Sequence, residues 1–320
     1  MSKPLVDRNE ISIAILGRSP GNGHPYSWSA MFNGYDRELM TRECPYAAIP
    51  EYLNKQPPET LSMPGAKITH ICCTGEGEFD AEHVARCSLI PNVVRQPEDV
   101  IGKVDAVIVA TDLGYEHVER CRPFVEAGLP LFVDKPMVDN PADLRVFNDW
   151  LAAGKPILSS SSCRYIKEFM PYRISTHNLG ALKYAGITMA KYWETYGIHA
   201  LESIYPILGP GFVSCRNTGS KESNVLHFKH RCGADLNVYV GVGMGGSGLL
   251  TLVGTDGWAQ AKSQDSFHAF KTQLDEFVRW LRTGVRPFPY AETEELMRMV
   301  IAGIQSRAAG GKEIMLDQVL

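Results

Sequence analysis

No apolar run in this chain approaches the roughly 18 to 20 residues that a membrane-spanning helix requires, which argues against a transmembrane protein. Charge of one sign is also lacking. The 32 basic and 36 acidic residues leave a formal net charge of −4, so no basic footprint for nucleic acid or an anionic membrane is present. The eight cysteines contain no C-x-x-C pair, which disfavours zinc and a disulfide framework. Cys72, Cys73, Cys87, Cys121 and Cys163 lie on or beside expected core elements and read as reduced, buried thiols. Met1-Ser2-Lys3-Pro4 lacks the apolar stretch of a signal peptide, so the expected location is the cytoplasm and the expected partner a small molecule.

What is present is a strand and helix alternation long enough for two domains, with 44% hydrophobic residues over 320 positions. Ile11 to Leu16 reads as a buried strand running through Gly17 into the loop Arg18-Ser19-Pro20-Gly21-Asn22-Gly23-His24-Pro25, with a helix from Tyr26. Strand, glycine loop and helix in that order suit a dinucleotide, because glycines let backbone N–H groups approach a pyrophosphate. The spacing is Gly17, Gly21, Gly23 rather than G-x-G-x-x-G, so a plain turn is an equal alternative.

The second strand, Lys67 to Cys73, follows an insertion containing Cys44-Pro45-Tyr46 and Pro57-Pro58. An acidic residue at its end usually takes the adenosine ribose; here Thr74 stands there, followed by Gly75-Glu76-Gly77-Glu78. Either Glu76 substitutes or the preference is relaxed, which leaves NAD and NADP both open. Val104 to Ala110 is the clearest strand and ends at Thr111-Asp112, with His117 in the first turn of the next helix. A histidine there is a surface residue or a cofactor contact. Asn140-Pro141 caps a further helix striped by Leu144, Phe147 and Leu151, and Ile157 to Ser160 is the last strand of a doubly wound sheet.

Between these elements lies Val133-Asp134-Lys135-Pro136, which sets one lysine at the carboxyl end of a buried strand. Crevices outside such strand ends are where parallel sheets bind ligands. Beyond Ser161 the pattern becomes α+β. Val225 to Arg231 and Leu236 to Val242 form a hairpin, Leu249 to Val253 is another strand, and helices run from Phe267 to Arg282 and from about Thr293 to Arg307. The glycines at 241, 243, 245, 246 and 248 read as bulges or close backbone approach rather than a phosphate loop.

Taken together, the strand and glycine loop, V-D-A-V-I-V-A-T, the following histidine, E-A-G and V-D-K-P resemble the glucose-fructose oxidoreductase, inositol dehydrogenase and MocA family through nearly the whole chain. Gly197-Ile198-His199-Ala200 resembles its D-x-G-x-H helix, and the tail through Gly310-Gly311-Lys312 its closing helix and turn. The resemblance implies a Rossmann-type NAD(P)-binding domain over residues 1–162, and an α+β domain on an open, mainly antiparallel sheet over 163–320 for substrate and for homodimer or homotetramer contacts. It implies hydride transfer between nicotinamide, NAD or NADP, and a carbinol or carbonyl of a sugar, sugar acid or nucleotide sugar. Rival readings are a lyase, epimerase or glycosidase that retains NAD, a reductase for a small non-sugar compound, and a cofactor-binding regulatory protein.

Carried over by position, Lys135 hydrogen-bonds the reacting oxygen and His199 gives or takes its proton; such acid–base groups contribute about 10²- to 10⁴-fold. Cofactor contacts are expected from Gly17, Arg18, Gly21, Gly23, Thr74, Glu76, Thr111, Asp112, His117, Lys135 and Pro136. Substrate contacts are expected from Lys135, Arg164, Tyr165, Trp193, Tyr196 and His199, with no metal. The loop His24-Pro25-Tyr26-Ser27-Trp28 is rich in groups that bind carbohydrate. One departure bears on mechanism: the family aspartate four residues before the histidine is Thr195, leaving Tyr196 and Glu202 as candidates to compensate.

Overall fold

The computed structural model describes residues 3–319, which divide into two compact units. Neither is one continuous stretch. The first takes the chain up to Asp134 together with Asp149–Ser159 and Phe270–Pro287; the second takes Lys135–Asn148, Ser160–Ala269 and the chain from Phe288 on. The units thus interleave across the expected 162/163 boundary.

Unit one is built on β1 (Ile11–Leu16), α1 (His24–Asn33), α2 (Arg37–Glu43), α3 (Ala48–Leu53), β2 (Ala66–Cys72), α4 (Ala81–Cys87), β3 (Asn92–Val93), β4 (Ala106–Val109), α5 (His117–Glu126) and β5 (Leu131–Val133). After α6 (Pro141–Ala152), β6 (Ile157–Ser159) completes the sheet. All six strands are parallel in the order β3-β2-β1-β4-β5-β6. This is the doubly wound arrangement, with its reversal point between β1 and β4. β4, β5 and β6 are buried at every position, as strands covered on both faces must be. The insertion before β2 is helical, and Asp36 caps α2 by accepting from Leu39 N–H at 2.9 Å. Helix α1 starts two residues earlier than expected. Its Tyr26 and Trp28 are fully buried, so these rings pack the core and do not offer a carbohydrate surface.

Unit two contains α7 (Met170–Ile174), β7 (Leu182–Ala190), α8 (Trp193–Leu208), β8 (Phe212–Asn217), β9 (Ser223–His230), β10 (Asp235–Gly241), β11 (Leu249–Gly254) and β12 (Trp258–Lys262). Helix α9 (Ser266–Thr283) carries the chain back into unit one, and α10 (Tyr290–Ala308) and β13 (Ile314–Met315) close the chain. The second sheet runs β12-β11-β7-β10-β9-β8-β13. It is antiparallel except for the parallel pair β7 and β10. β9 alternates buried and accessible positions along its length, the pattern of a sheet with one covered face. The expected hairpin is β9 and β10, turning at Gly233 with φ +84°. The glycine-rich segment after β10 crosses the end of β7, because β10 and β11 flank that strand on opposite sides; Gly248 N–H donates to Thr188 O at 2.7 Å.

Candidate functional site

In unit one the loop after β1 is tied down at both ends of the crevice between strands. Ser19 Oγ bonds Asp112 Oδ1 at 2.5 Å and accepts from Asp112 N–H at 3.2 Å. Asn22 Nδ2 donates to Ala110 O at 3.2 Å and to Asp134 Oδ2 at 3.1 Å, and His24 Nδ1 shares a hydrogen bond with the same carboxylate at 2.6 Å. The imidazole of His24 stacks on Trp28 with centroids 4.2 Å apart. These bonds join the glycine loop to the carboxyl ends of β4 and β5.

The glycines do what a dinucleotide loop asks of them at one position above all. Gly17 has φ +89°, and a Cβ there would meet Thr111 Cγ2 at 2.7 Å; only a bare backbone passes between β1 and β4. Gly21, at φ +71°, faces open space. A depression of about 240 Å³ opens at the ends of β1, β2 and β4, lined by Leu16, Thr74, Val109, Glu98, Glu119 and Arg120 among others. A cradle that a Cβ would fill, beside a hollow at the reversal point, fits a dinucleotide.

Two carboxylates, Glu76 and Glu78, follow β2. Both are exposed, and Glu78 accepts from Gly21 N–H at 3.2 Å and from the Tyr46 hydroxyl at 2.6 Å. These two donors hold the Glu78 carboxyl below the usual carboxylate range, the tyrosine hydroxyl most strongly. Arg18 Nε donates to Gly75 O at 2.8 Å and Arg120 Nη1 to Thr74 Oγ1 at 3.1 Å, so two guanidinium groups bracket the same turn. His117 is neither on the surface nor at the rim of the hollow. It is fully buried, with Nε2 2.9 Å from Thr111 O and 3.1 Å from Thr111 Oγ1, and it supports Thr111 from behind.

Unit two gathers the second group. Lys135 is 2% exposed and its Nζ lies 5.1 Å from the centroid of the Tyr196 ring; the peptide bond to Pro136 is cis. The edge of Tyr196 meets His199, with centroids 4.8 Å apart at 66°. A second lysine, Lys191, donates to the Tyr196 hydroxyl at 2.6 Å from a backbone with φ +69°, rare for a residue with a side chain. His199 Nδ1 is 2.6 Å from Ser161 Oγ. Lys135, Tyr196 and His199, separated by up to 64 positions in the numbering, are therefore neighbours.

Two expected substrate contacts have other work. Arg164 is buried, bonds Glu202 through Nε, bonds Glu292 at 2.7 Å through Nη1, and stacks on Phe288 at 3.9 Å. A guanidinium so enclosed is a structural cation. Burial pushes the Glu202 carboxyl upward, opposed by Arg164. Trp193 is fully buried, donates from Nε1 to Val300 O at 2.9 Å, and fills the space over Gly197 and Gly303, where a Cβ would come within 2.5 and 2.6 Å of its ring. It is a core residue. Tyr165 is half-buried. Thr195 lines a depression of about 640 Å³ with Tyr192, Glu194, Ser220, Lys221 and Glu222.

Ser161 and Glu78 were not legible beforehand. Ser161 is one of four consecutive serines, Ser159 to Ser162, and nothing local distinguishes them. All eight cysteines are free, and burial raises the Cys73 and Cys87 thiols to about 12. No metal-binding group of histidine, cysteine and carboxylate occurs among the described residues. No helix among them is long and apolar enough to cross a membrane.

The fold and the loop define a protein whose first unit is a dinucleotide-binding sheet and whose second unit is an α+β domain. Residues 51–158 match the model of the GFO_IDH_MocA family, an oxidoreductase family with an NAD-binding Rossmann fold. A probable dehydrogenase from Thermotoga maritima superposes with a TM-score of 0.74 at 14% identity, over 97% of this chain and 100% of that one. A myo-inositol dehydrogenase from Lactobacillus casei, in complex with NAD(H) and myo-inositol, gives 0.72 at 13% identity over 96% of each chain. An oxidoreductase from Agrobacterium radiobacter, in complex with NAD+, L-tartaric acid and magnesium, gives 0.71 at 13% identity over 97% of this chain and 100% of that one. At such identities these similarities establish the fold. No curated protein sequence matches the chain.

Proposed function

We propose that the chain moves a hydride between a nicotinamide dinucleotide and the carbinol or carbonyl carbon of a sugar, sugar acid or related polyol, with Lys135 and His199 as its acid–base groups. The observation that carries this reading is the cluster of a nearly buried Lys135 with Tyr196 and His199. When bound, the cofactor supplies hydride exchange. The loop from Gly17 to Gly23, the hollow bordered by Thr74 and Arg120, and the carboxylates Glu76 and Glu78 beside them would hold it.

A carbinol that loses hydride must also lose its hydroxyl proton. Lys135 Nζ and the His199 imidazole are the groups that can take that proton, and in the reverse direction return it. Their burial keeps competing water from the same oxygen. Lys191, held on Tyr196, adds a second cation to the ring that Lys135 also faces. This favours a substrate bearing a carboxylate, and the tartaric acid bound by the Agrobacterium protein suits the same description.

The test is Lys135→Met, assayed against a panel of polyols and sugar acids, with cofactor binding followed separately by fluorescence. Turnover is expected to vanish while cofactor binding persists; an unimpaired rate overturns the assignment. Stoichiometric appearance of reduced cofactor with the wild-type chain separates net oxidation from a retained-cofactor lyase or epimerase.

A further inference from the structure

We infer that Ser161 is a positioning residue for His199, fixing the rotation and the tautomer of its imidazole. The catalytic consequence rests on the function proposed above; the positioning itself does not. Ser161 lies two residues beyond the end of β6, and its carbonyl accepts from Arg164 N–H at 3.1 Å. Its N–H donates to Glu202 Oε1 at 3.1 Å, its Oγ accepts from Cys163 N–H at 3.0 Å, and the same Oγ meets His199 Nδ1 at 2.6 Å. His199 and Glu202 stand three positions apart on α8 and so share a face. One serine therefore grips two points of that face, through its backbone and through its hydroxyl.

The grip is itself anchored. Glu202 is bonded by Arg164, which in turn reaches Glu292 on α10, and Ser203 Oγ donates to His199 O at 2.7 Å. Tyr196 closes the other side of the ring. All these groups lie in unit two. Ser161 is fully buried, so water does not compete for Nδ1 from that side.

A hydroxyl differs here from a carboxylate. With one lone pair engaged by Cys163 N–H, Ser161 Oγ keeps one proton and one lone pair for Nδ1. Donating that proton to Nδ1, it holds the neutral imidazole in the tautomer protonated at Nε2, and it can accept from Nδ1–H once the ring is charged. Thr195, at the position of the family aspartate, lines a separate depression.

The experiment uses the full chain labelled with ¹⁵N-histidine, the His199 nitrogens being assigned by their loss in His199→Asn. In the wild type, Nδ1 and Nε2 of His199 should give the well-separated resonances of one neutral tautomer. Ser161→Ala should draw them toward averaged values, and Ser161→Thr, which keeps the hydroxyl, should restore the separation. Unchanged nitrogen shifts in Ser161→Ala overturn the proposal, as does a Ser161→Thr spectrum equal to that of Ser161→Ala. Should alanine fail to fold, Ser161→Cys, close in volume and weaker in hydrogen bonding, gives the same comparison. On a turned-over polyol or sugar acid, Ser161→Ala should lower kcat about tenfold with KM within about twofold. Altered nitrogen shifts with full turnover would overturn the acid–base role of His199 and leave the positioning standing.

Discussion

The two sheets solve the same problem of burial in opposite ways. The six-stranded sheet is all parallel, its central strands are buried on both faces, and its ligand-facing groups are confined to loops at the strand ends. The seven-stranded sheet alternates buried and accessible positions. Its accessible residues line a depression of about 700 Å³ that includes Tyr184, Thr188, His227, Tyr239, Thr251 and Lys262. A doubly covered sheet leaves chemistry to its loops, whereas a singly covered one keeps a whole face for contacts.

The contrast extends to the functional groups. In unit one the glycine loop is held by hydrogen bonds to Asp112, Ala110 and Asp134, and its motif spacing is irregular. In unit two Lys135, just beyond β5, meets Tyr196 and His199 of α8 through side chains, backed by an ion-pair network. The first region should therefore be sensitive to backbone changes and the second to side-chain chemistry.

The largest expected effect comes from Lys135→Met, which should cost about 10²- to 10⁴-fold in turnover with cofactor affinity little changed, read by steady-state rates and fluorescence titration. Equal losses of turnover and cofactor binding would break the division between the regions. Trp193→Ala should destabilise the protein by about 3 to 5 kcal/mol, read by denaturant unfolding, since its ring fills the space over Gly197 and, together with Leu226, over Gly303. A stability close to wild type would instead restore Trp193 as a substrate contact. Gly17→Ala should cost about 1 to 3 kcal/mol from its positive φ and weaken cofactor binding, while leaving the His199 nitrogen resonances unmoved. Smallest is Glu78→Gln. It should shift relative affinity toward NADP over NAD by about tenfold or less, as one negative charge beside the glycine loop is removed; unchanged titrations with both dinucleotides would place the ribose elsewhere.

Much of the fold was legible because burial patterns are local. β1 and the long helices follow from apolar runs and stripes, and Asn140 caps α6 as expected, its Oδ1 accepting from Asp143 N–H at 3.0 Å. The candidate site was legible at Lys135 and His199, each marked by a strand end or a motif. It failed where exposure decides the role. Arg164 and Trp193 looked like pocket groups because charge and aromaticity suit ligands; the network around Glu202 and the glycines at 197 and 303 turn both inward. Glu76 and Glu78 are indistinguishable as letters two positions apart, and only the path of the turn carries Glu78 to Gly21.

The sequence by itself determined the alternation of strands and helices, the glycine at the β1 turn and the lysine at the end of β5, because each depends on neighbours a few residues away. Tertiary structure alone decided which of four serines meets His199, which carboxylate reaches the glycine loop, and that helix α9 returns to pack Phe277 on Phe132, with centroids 5.3 Å apart. Those outcomes depend on distances between segments far apart in the chain, which no local pattern encodes.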